Sequence, residues 1–384
     1  MKRLLIVSGD PSGDLYASLL ARALRARAPS LSLAAVGGPL TRAALGPQDE
    51  FVEDLASLGV TGFVEPARRL PRLARLLGRL SGLMGSGSVD AVCCIDFWGF
   101  NSRVLEAARA RGLPCYYFIS PQVWATRPGR VARIKRGVKR MLVIFPFEEQ
   151  LYRDAGVPVT WVGHPLLDLL PAPRAEARAL TGPLRLGLLP GSRPGEVRRH
   201  LPLLLGAAAR IARDFPRLEV SVFAAAALDD GHYRALKRVR LPDGSRPRLV
   251  RESDYAERAR QDLVLSSSGT ATLENALLGL PMVVVYKLSW PTYLLARALI
   301  RVRSIAMPNL LAGRRVVAEL VQHQATPRAV AREALALLED PRRLRAVRGD
   351  LLALREKLGG PGAVRRAAEA LLAEPALTGA EALR

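Results

Sequence analysis

Asp96 stands at the end of an apolar run, in CCIDFWGFN at 93–101, and aromatic residues and glycine follow it at once. A carboxylate so placed either caps the helix that starts near Asn101 or acts as a general base that takes the proton of an attacking hydroxyl. Three glycine-bearing stretches offer a second chemistry. SGDPSGD at 8–14 precedes an amphipathic pattern opening at Leu15; Gly9 and Gly13 permit a tight turn there, and Ser12 or Asp14 can cap the helix. LLPGSRPGE at 188–196 places Gly191, Ser192 and Arg193 just beyond another apolar run. SSSGTATLE at 266–274 puts the backbone N–H groups of Gly269, Thr270 and Ala271 at a helix start, with Glu274 one turn in and able to accept from ribose hydroxyls. Helix starts of this kind bind anions, and an arginine pairs with a diphosphate bidentately and stays charged. The plain alternatives are a ligand-free helix cap in the first stretch, a tight turn in the second and an N-cap serine in the third. Two such loops in one half-chain, one carrying an arginine, favour a nucleoside diphosphate. Neither GxGxxG nor GxxxxGK[ST] occurs.

These loops have to be held by something. Short apolar runs alternate with longer helical patterns: 3–7, 89–95, 115–119 and 141–145, then 184–189, 218–223, 262–266 and 282–286. Continuous apolar runs without polar alternation belong to parallel strands covered on both faces. Strand-helix alternation then predicts an α/β protein of two Rossmann-like, doubly wound parallel sheets facing a cleft, with ligands beyond the carboxyl ends of the strands. PAPRAEARALTGP at 171–183 reads as the linker. The expected domains are 1–170 on the acceptor and membrane side, 184–340 on the nucleotide side, and C-terminal helices over 341–384 that either cross back onto the first domain or exchange with a second subunit in a homodimer.

The 384 residues carry a net charge of +22, which calls for a polyanionic partner or for a bias of composition towards arginine. Nucleic acid is not expected, because the basic segments lack interleaved aromatic residues. In RRLPRLARLLGRLSGLM at 68–84, Leu70, Leu73, Leu77, Leu80 and Met84 share one helical face, and Arg68, Arg72, Arg75 and Arg79 the other. That pattern suits an interfacial helix on an anionic membrane and equally a surface helix packed on a core. SWPTYLLARALI at 289–300 and RPGRVARIKRGVKR at 127–140 are further candidates for the membrane side. No apolar segment reaches the ~20 residues of a membrane span, so a cytoplasmic protein, peripheral on the membrane's inner face, is expected. Cys93, Cys94 and Cys115 read as buried thiols. His164, His200, His232 and His323 have no ligand spacing, so neither a metal nor a cofactor is expected.

The loops also resemble those of one family, the lipid-A-disaccharide synthases, inverting glycosyltransferases of the two-Rossmann-domain (GT-B) type. SGDPSGD is similar to that family's AGExSGD, and ISPQVWATR at 119–127 to its SPxVWAWR. PFEEQLY at 146–152, VGHPLLD at 162–168, LPGSRPGE, SSGTATLE, PMVVVYK and PNLLAGR follow in the same order. The resemblance implies transfer of 2,3-diacylglucosamine from UDP-2,3-diacylglucosamine to 2,3-diacylglucosamine 1-phosphate, giving a β-1,6 disaccharide phosphate and UDP. It implies Asp96, at the aspartate of GIDxPDFN, as the base and Arg193 at the diphosphate. It further implies substrate contacts for Ser12, Gly13, Asp14, Asn101, Gln122, Trp124, His164 and, on the UDP side, Gly191, Ser192, Gly269, Thr270, Ala271, Glu274 and Asn309. The chain departs from the pattern at Gly99, where the family has a second aspartate, and at Trp98, Asp10 and Thr126. These lie on the acceptor side, which leaves a different acceptor, or a related UDP-sugar transferase or epimerase, as the alternative.

Overall fold

The structure, a computed structural model, describes residues 1–56, 66–121, 123, 129–174, 182–226, 228–252, 254–289, 293 and 304–378, with the side chains of 66–69 excepted. The chain forms two compact units: Met1–Asp168 with Leu358–Arg384, and Leu169–Lys357.

In the first unit, strands β1 (Arg3–Val7), β2 (Ser32–Gly37), β3 (Glu50–Asp54), β4 (Ala91–Ile95), β5 (Cys115–Phe118), β6 (Val138–Val143) and β7 (Val159–Trp161) make one parallel sheet in the order β3-β2-β1-β4-β5-β6-β7. In the second, β8 (Leu184–Leu189), β9 (Leu218–Phe223), β10 (Arg248–Val250), β11 (Leu263–Ser267), β12 (Met282–Tyr286) and β13 (Ala318–Val321) follow the order β10-β9-β8-β11-β12-β13. Every pairing is parallel, with Val7 level with Cys94 and Leu189 level with Ser266 at the two places where strand order reverses. Those reversals, β1 beside β4 and β8 beside β11, are the topological switch points where such sheets take ligands.

The central strands are buried end to end because helices cover both faces, which is why their sequences run apolar without alternation. In the first unit Leu5, Val92 and Tyr117 share a core with Leu80, Met84 and Val104 from the covering helices. Each such side chain contributes roughly 1.5–3 kcal/mol on leaving water.

The helix Pro66–Gly85 corrects part of the membrane expectation. Leu76, Leu80 and Met84 are buried, and Leu73 and Leu77, placed on a membrane face by the sequence pattern, pack partly buried against the core instead. Arg72 and Arg79 both pair with Glu53, at 2.5 and 2.9 Å. Leu70 and Arg75 remain exposed, and the Arg68 side chain lies outside the described residues. Among the described residues no helix is long and apolar enough to cross a membrane.

The C-terminal helices divide between the units. Pro341–Lys357 stays with the second, where Arg348 and Arg355 donate to Gly279 O (2.7 Å) and Leu277 O (3.0 Å) at the end of the helix Thr270–Leu277. The boundary therefore falls at Leu358, not at 341. The helix Ala363–Leu372 packs on Pro11–Arg27 of the first unit, with an Arg27–Glu369 ion pair at 3.5 Å. Its N-terminus is capped across the sequence by Asp168, which accepts from the amides of Gly362, Ala363 and Val364. Asp168→Ala should lower the unfolding free energy by about 1–2 kcal/mol, the cost of a lost cap, and should speed proteolysis after Leu358. Urea titration and limited proteolysis check both.

Candidate active site

At the first switch point the chain leaves β4 through two consecutive left-handed residues, Asp96 at φ 41° and Phe97 at φ 46°. For residues with a Cβ this costs roughly 1–2 kcal/mol each, so the surroundings must hold them. The Tyr117 hydroxyl donates to Asp96 O, and Asn101 Nδ2 reaches Val7 O, Ile95 O and Asp96 O at 3.2, 3.1 and 2.9 Å. The Phe97 ring lies over Gly9, where a Cβ would come within 2.1 Å of it. Only glycine lets β1 end that close.

The held turn leaves the Asp96 side chain partly exposed. Burial, and after it the nearby Asp10 carboxylate, push its carboxyl up to about 7, against the lowering effect of the Phe97 amide. A carboxyl at a switch point whose pKa is raised to about 7 can take up a proton near neutral pH, the chemistry of a general base. The helix-cap alternative does not describe it: the helix Trp98–Arg109 has Phe97 at its N-cap and no side-chain cap bond. Asp10 itself caps the helix Pro11–Arg27, accepting from Gly13 N at 2.6 Å.

Several expected contact residues are committed to the chain itself. Asp14 is buried and accepts from Gly38 N (2.7 Å), Leu40 N (3.1 Å) and Thr41 N (2.8 Å), so it caps the helix Pro39–Ala44. Asn101 is wholly buried in the bonds just given. His164 is buried against Phe145, its Nδ1 accepting from Leu166 N at 3.2 Å, while its backbone amide donates to Leu358 O. Ser12 is partly exposed near the start of its helix. Gln122 and Trp124 lie outside the described residues.

At the second switch point, β8 ends in an exposed Ser192–Arg193 pair. Gly191 has φ 120°, and a Cβ there would meet Glu196 Oε2 at 2.5 Å. Glu196 ties the loop down, accepting from Ser192 N at 3.1 Å and from Arg193 Nη1 at 3.3 Å. Half of the Arg193 side chain stays open to solvent. His200 fixes the same loop from below. Its Nε2 accepts from Lys287 N at 2.9 Å, which leaves the proton on Nδ1 to donate to Pro190 O at 2.9 Å. Beside it, Gly269 (φ 152°) starts the helix Thr270–Leu277, whose first N–H groups have no acceptor within the helix. Asn309, expected on the sugar-nucleotide, is buried with both ends engaged: Oδ1 accepts from Val316 N and Val317 N, and Nδ2 donates to Val317 O and Glu319 Oε1. Glu319, which also accepts from the amides of Ile305 and Ala306, went unread in the sequence, where no motif marks it, and the loop contacts of His200 were not legible from its spacing. Among the described residues no cluster of three or more His, Cys, Asp or Glu side chains is placed to hold a metal ion.

The architecture can be matched to solved structures. A UDP-N-acetylglucosamine 2-epimerase described as putative, from Listeria monocytogenes, has a TM-score of 0.62 at 13% identity, covering 97% of this chain and 96% of that one. MurG of Acinetobacter baumannii has a TM-score of 0.60 at 14% identity over 97% and 100%. At such identities the likeness concerns the fold, which is the GT-B class of paired Rossmann-like domains. A sequence profile described as lipid-A-disaccharide synthetase matches residues 4–373. Relatives named lipid-A-disaccharide synthase include that of Syntrophus aciditrophicus, 41% identical over 374 residues (96% of each chain), and that of Trichlorobacter lovleyi, 39% identical over 378 residues (97% of each). The chain belongs to the lipid-A-disaccharide synthase family, and is thus a glycosyltransferase.

Two histidines make the fold acid-sensitive. Burial lowers the affinity of His164 for a proton to about 3 from 6.5, and lowers that of His200 as well. The unfolded chain therefore binds more protons below pH 6.5, and stability is lost as pH falls from 6.5 towards 3. His164 should account for about 1.4 kcal/mol of lost stability per pH unit in that window, and His200 adds in the same direction. Denaturant titrations at stepped pH should show the slope reduced by one group in His164→Asn, whose amide oxygen can replace Nδ1.

Proposed function

We propose that the protein is a lipid-A-disaccharide synthase, transferring 2,3-diacylglucosamine from UDP-2,3-diacylglucosamine to 2,3-diacylglucosamine 1-phosphate. The observation that carries the reading is Asp96, held in a strained turn at the first switch point with its carboxyl near neutrality. The acceptor's 6-hydroxyl oxygen bonds to the donor's anomeric carbon from the face opposite the diphosphate. Its proton passes to Asp96, the bond from that carbon to the diphosphate oxygen breaks, and UDP leaves with the electron pair. Attack from the opposite face inverts the centre and gives the β-1,6 linkage. Charge developing on the leaving diphosphate is matched by Arg193 and by the N–H groups of Gly269, Thr270 and Ala271. Glu274 takes the ribose hydroxyls. The acyl chains bring the work to a membrane surface; exposed Leu70 and Arg75 and the net charge of +22 support a peripheral placement there.

Detergent-solubilised substrates test this directly. Acceptor-dependent UDP release should fall about 10²- to 10⁴-fold in Asp96→Asn; release that persists, or that needs no acceptor, overturns the reading. A base must be ionised to act, so kcat/KM should decline as pH drops below about 7. Asp10→Asn keeps a capping side chain but removes the neighbouring charge, and should move that acidic limb to lower pH.

One observation favours an acceptor that differs in detail from the family's. A recess of about 490 Å³ is lined by Trp98, Gly99, Arg103, Arg130 and by Arg133, which pairs with Glu106 at 3.2 Å. The indole suits a sugar face and the arginines a phosphate. A Cβ at Gly99 would meet nothing within 4 Å. Gly99→Asp should therefore fold normally, raise the acceptor KM by roughly 3- to 10-fold through charge repulsion, and leave UDP affinity unchanged. Initial-rate kinetics with each substrate varied in turn separate the two constants.

A further inference from the structure

Glu274 lies one turn into the helix Thr270–Leu277, after β11. Its carboxylate is gripped on both oxygens: Oε2 accepts from Arg258 Nη1 at 2.5 Å and Oε1 from the Tyr255 hydroxyl at 3.3 Å. Arg258 is gripped in turn. Its Nε lies 2.6 Å from Glu252 Oε1, and its own backbone amide donates to Glu252 Oε2 at 2.9 Å. The guanidinium carbon stands 5.0 Å from the centre of the Tyr255 ring and 5.5 Å from that of Phe223, at the carboxyl end of β9. The side chains of Arg258, Glu252 and Glu274 are only 12, 8 and 15% exposed. Tyr255 reaches its place from a left-handed backbone, φ 61°.

A buried charge assembly of this kind is weak evidence for stability, because desolvating three ions offsets most of their attraction. Its content is geometric. A planar guanidinium that donates to Glu274 through Nη1 and lies against the Glu252 carboxylate at Nε is held from both sides, which a lysine cannot reproduce. Two carboxylates against one cation leave a negative charge over, and a carboxylate has about four acceptor sites, of which Arg258 and Tyr255 use two. Glu274 is therefore fixed and still able to accept. A vicinal diol is the neutral donor pair that such a group takes.

We infer that Arg258, braced by Glu252, is a positioning residue that presets Glu274 for the two ribose hydroxyls of the uridine nucleotide, and so makes the protein selective for ribose. The inference rests on the donor reading given above.

Isothermal titration calorimetry with UDP and 2′,3′-dideoxy-UDP tests it. The unaltered protein should prefer UDP by about 10- to 100-fold, the value of hydrogen bonds to a charged group. Arg258→Met strands two buried carboxylates, so the double variant Glu252→Gln/Arg258→Met, which removes the pair together, is measured beside it. Preference for UDP should shrink to under about threefold in a double variant whose melting temperature shows it folded. In a Glu274→Gln background the same double change should have almost no further effect on the preference, because both act through one carboxylate. A folded double variant that keeps the full preference, or losses that multiply across the two backgrounds, overturns the inference. UDP binding without any ribose preference in the unaltered protein also overturns it while sparing the donor reading. Failure to bind UDP at all overturns both.

Discussion

The amide of Asn101 is the interaction on which the carboxyl edge of the first unit's sheet depends. Where the order of a doubly wound sheet reverses, two adjacent strands send their chains to opposite faces, and the carbonyl groups at their ends lose the neighbour that would have paired them. One buried Nδ2 stands between Val7 on β1 and Ile95 and Asp96 on β4, within hydrogen-bond distance of all three carbonyls. Two protons serve three acceptors, so at least one bond is shared. That single group keeps the strands' ends together, and with the Tyr117 hydroxyl it over-determines a turn that two non-glycine residues would otherwise avoid. The elevated proton affinity of Asp96 is a consequence, since the same turn buries its carboxyl and brings it into the neighbourhood of Asp10.

The same device recurs. Asp14, Asp168, Asn309 and His200 each spend a buried or partly buried polar side chain on backbone groups of a loop at or near a functional edge, and leaving such a group without its partner costs about 1–3 kcal/mol. Several motif residues here hold the loops in which they or their neighbours lie. Among the described residues, the non-glycine positions with left-handed φ are Asp96, Phe97, Ile119, Tyr255 and Gln322, and all lie in segments that follow strands β4, β5, β10 and β13. Strain has been collected on the carboxyl edges of the two sheets and kept out of their cores.

Much of the scaffold was legible because physics writes it locally. Runs such as LRLGLL, LEVSVF and MVVVY became β8, β9 and β12 without adjustment. β2 escaped notice: SLAAVG is buried throughout, yet alanine and glycine give little hydrophobic signal, and its burial comes from neighbours on both sides. β3 and β13 each carry glutamate, which is tolerable towards the edges of a sheet and hides a strand from an apolar-run criterion. The places of Asp96 and Arg193 just beyond strand ends were legible from the apolar runs that precede them. The commitments of Asp14, His164 and Asn309 were not, because a side chain's partner is a tertiary fact. Leu73 and Leu77 failed for a related reason: a helical stripe states that one face is apolar and does not state what covers it.

The chain passes between the units twice, after Asp168 and again at Leu358, so the first unit is discontinuous in sequence. Its helix Ala363–Leu372 is capped by Asp168 and lies along Pro11–Arg27, near the other end of the chain, and Leu358 just before it is bonded to His164. Synthesis delivers residues in order and domains generally fold as they emerge. The second unit can therefore close while the first, although made earlier, still lacks the piece that covers one side of its opening helix. The ribosome completes the two domains in the reverse of the order in which it begins them, and the first waits with apolar surface uncovered for the length of the second.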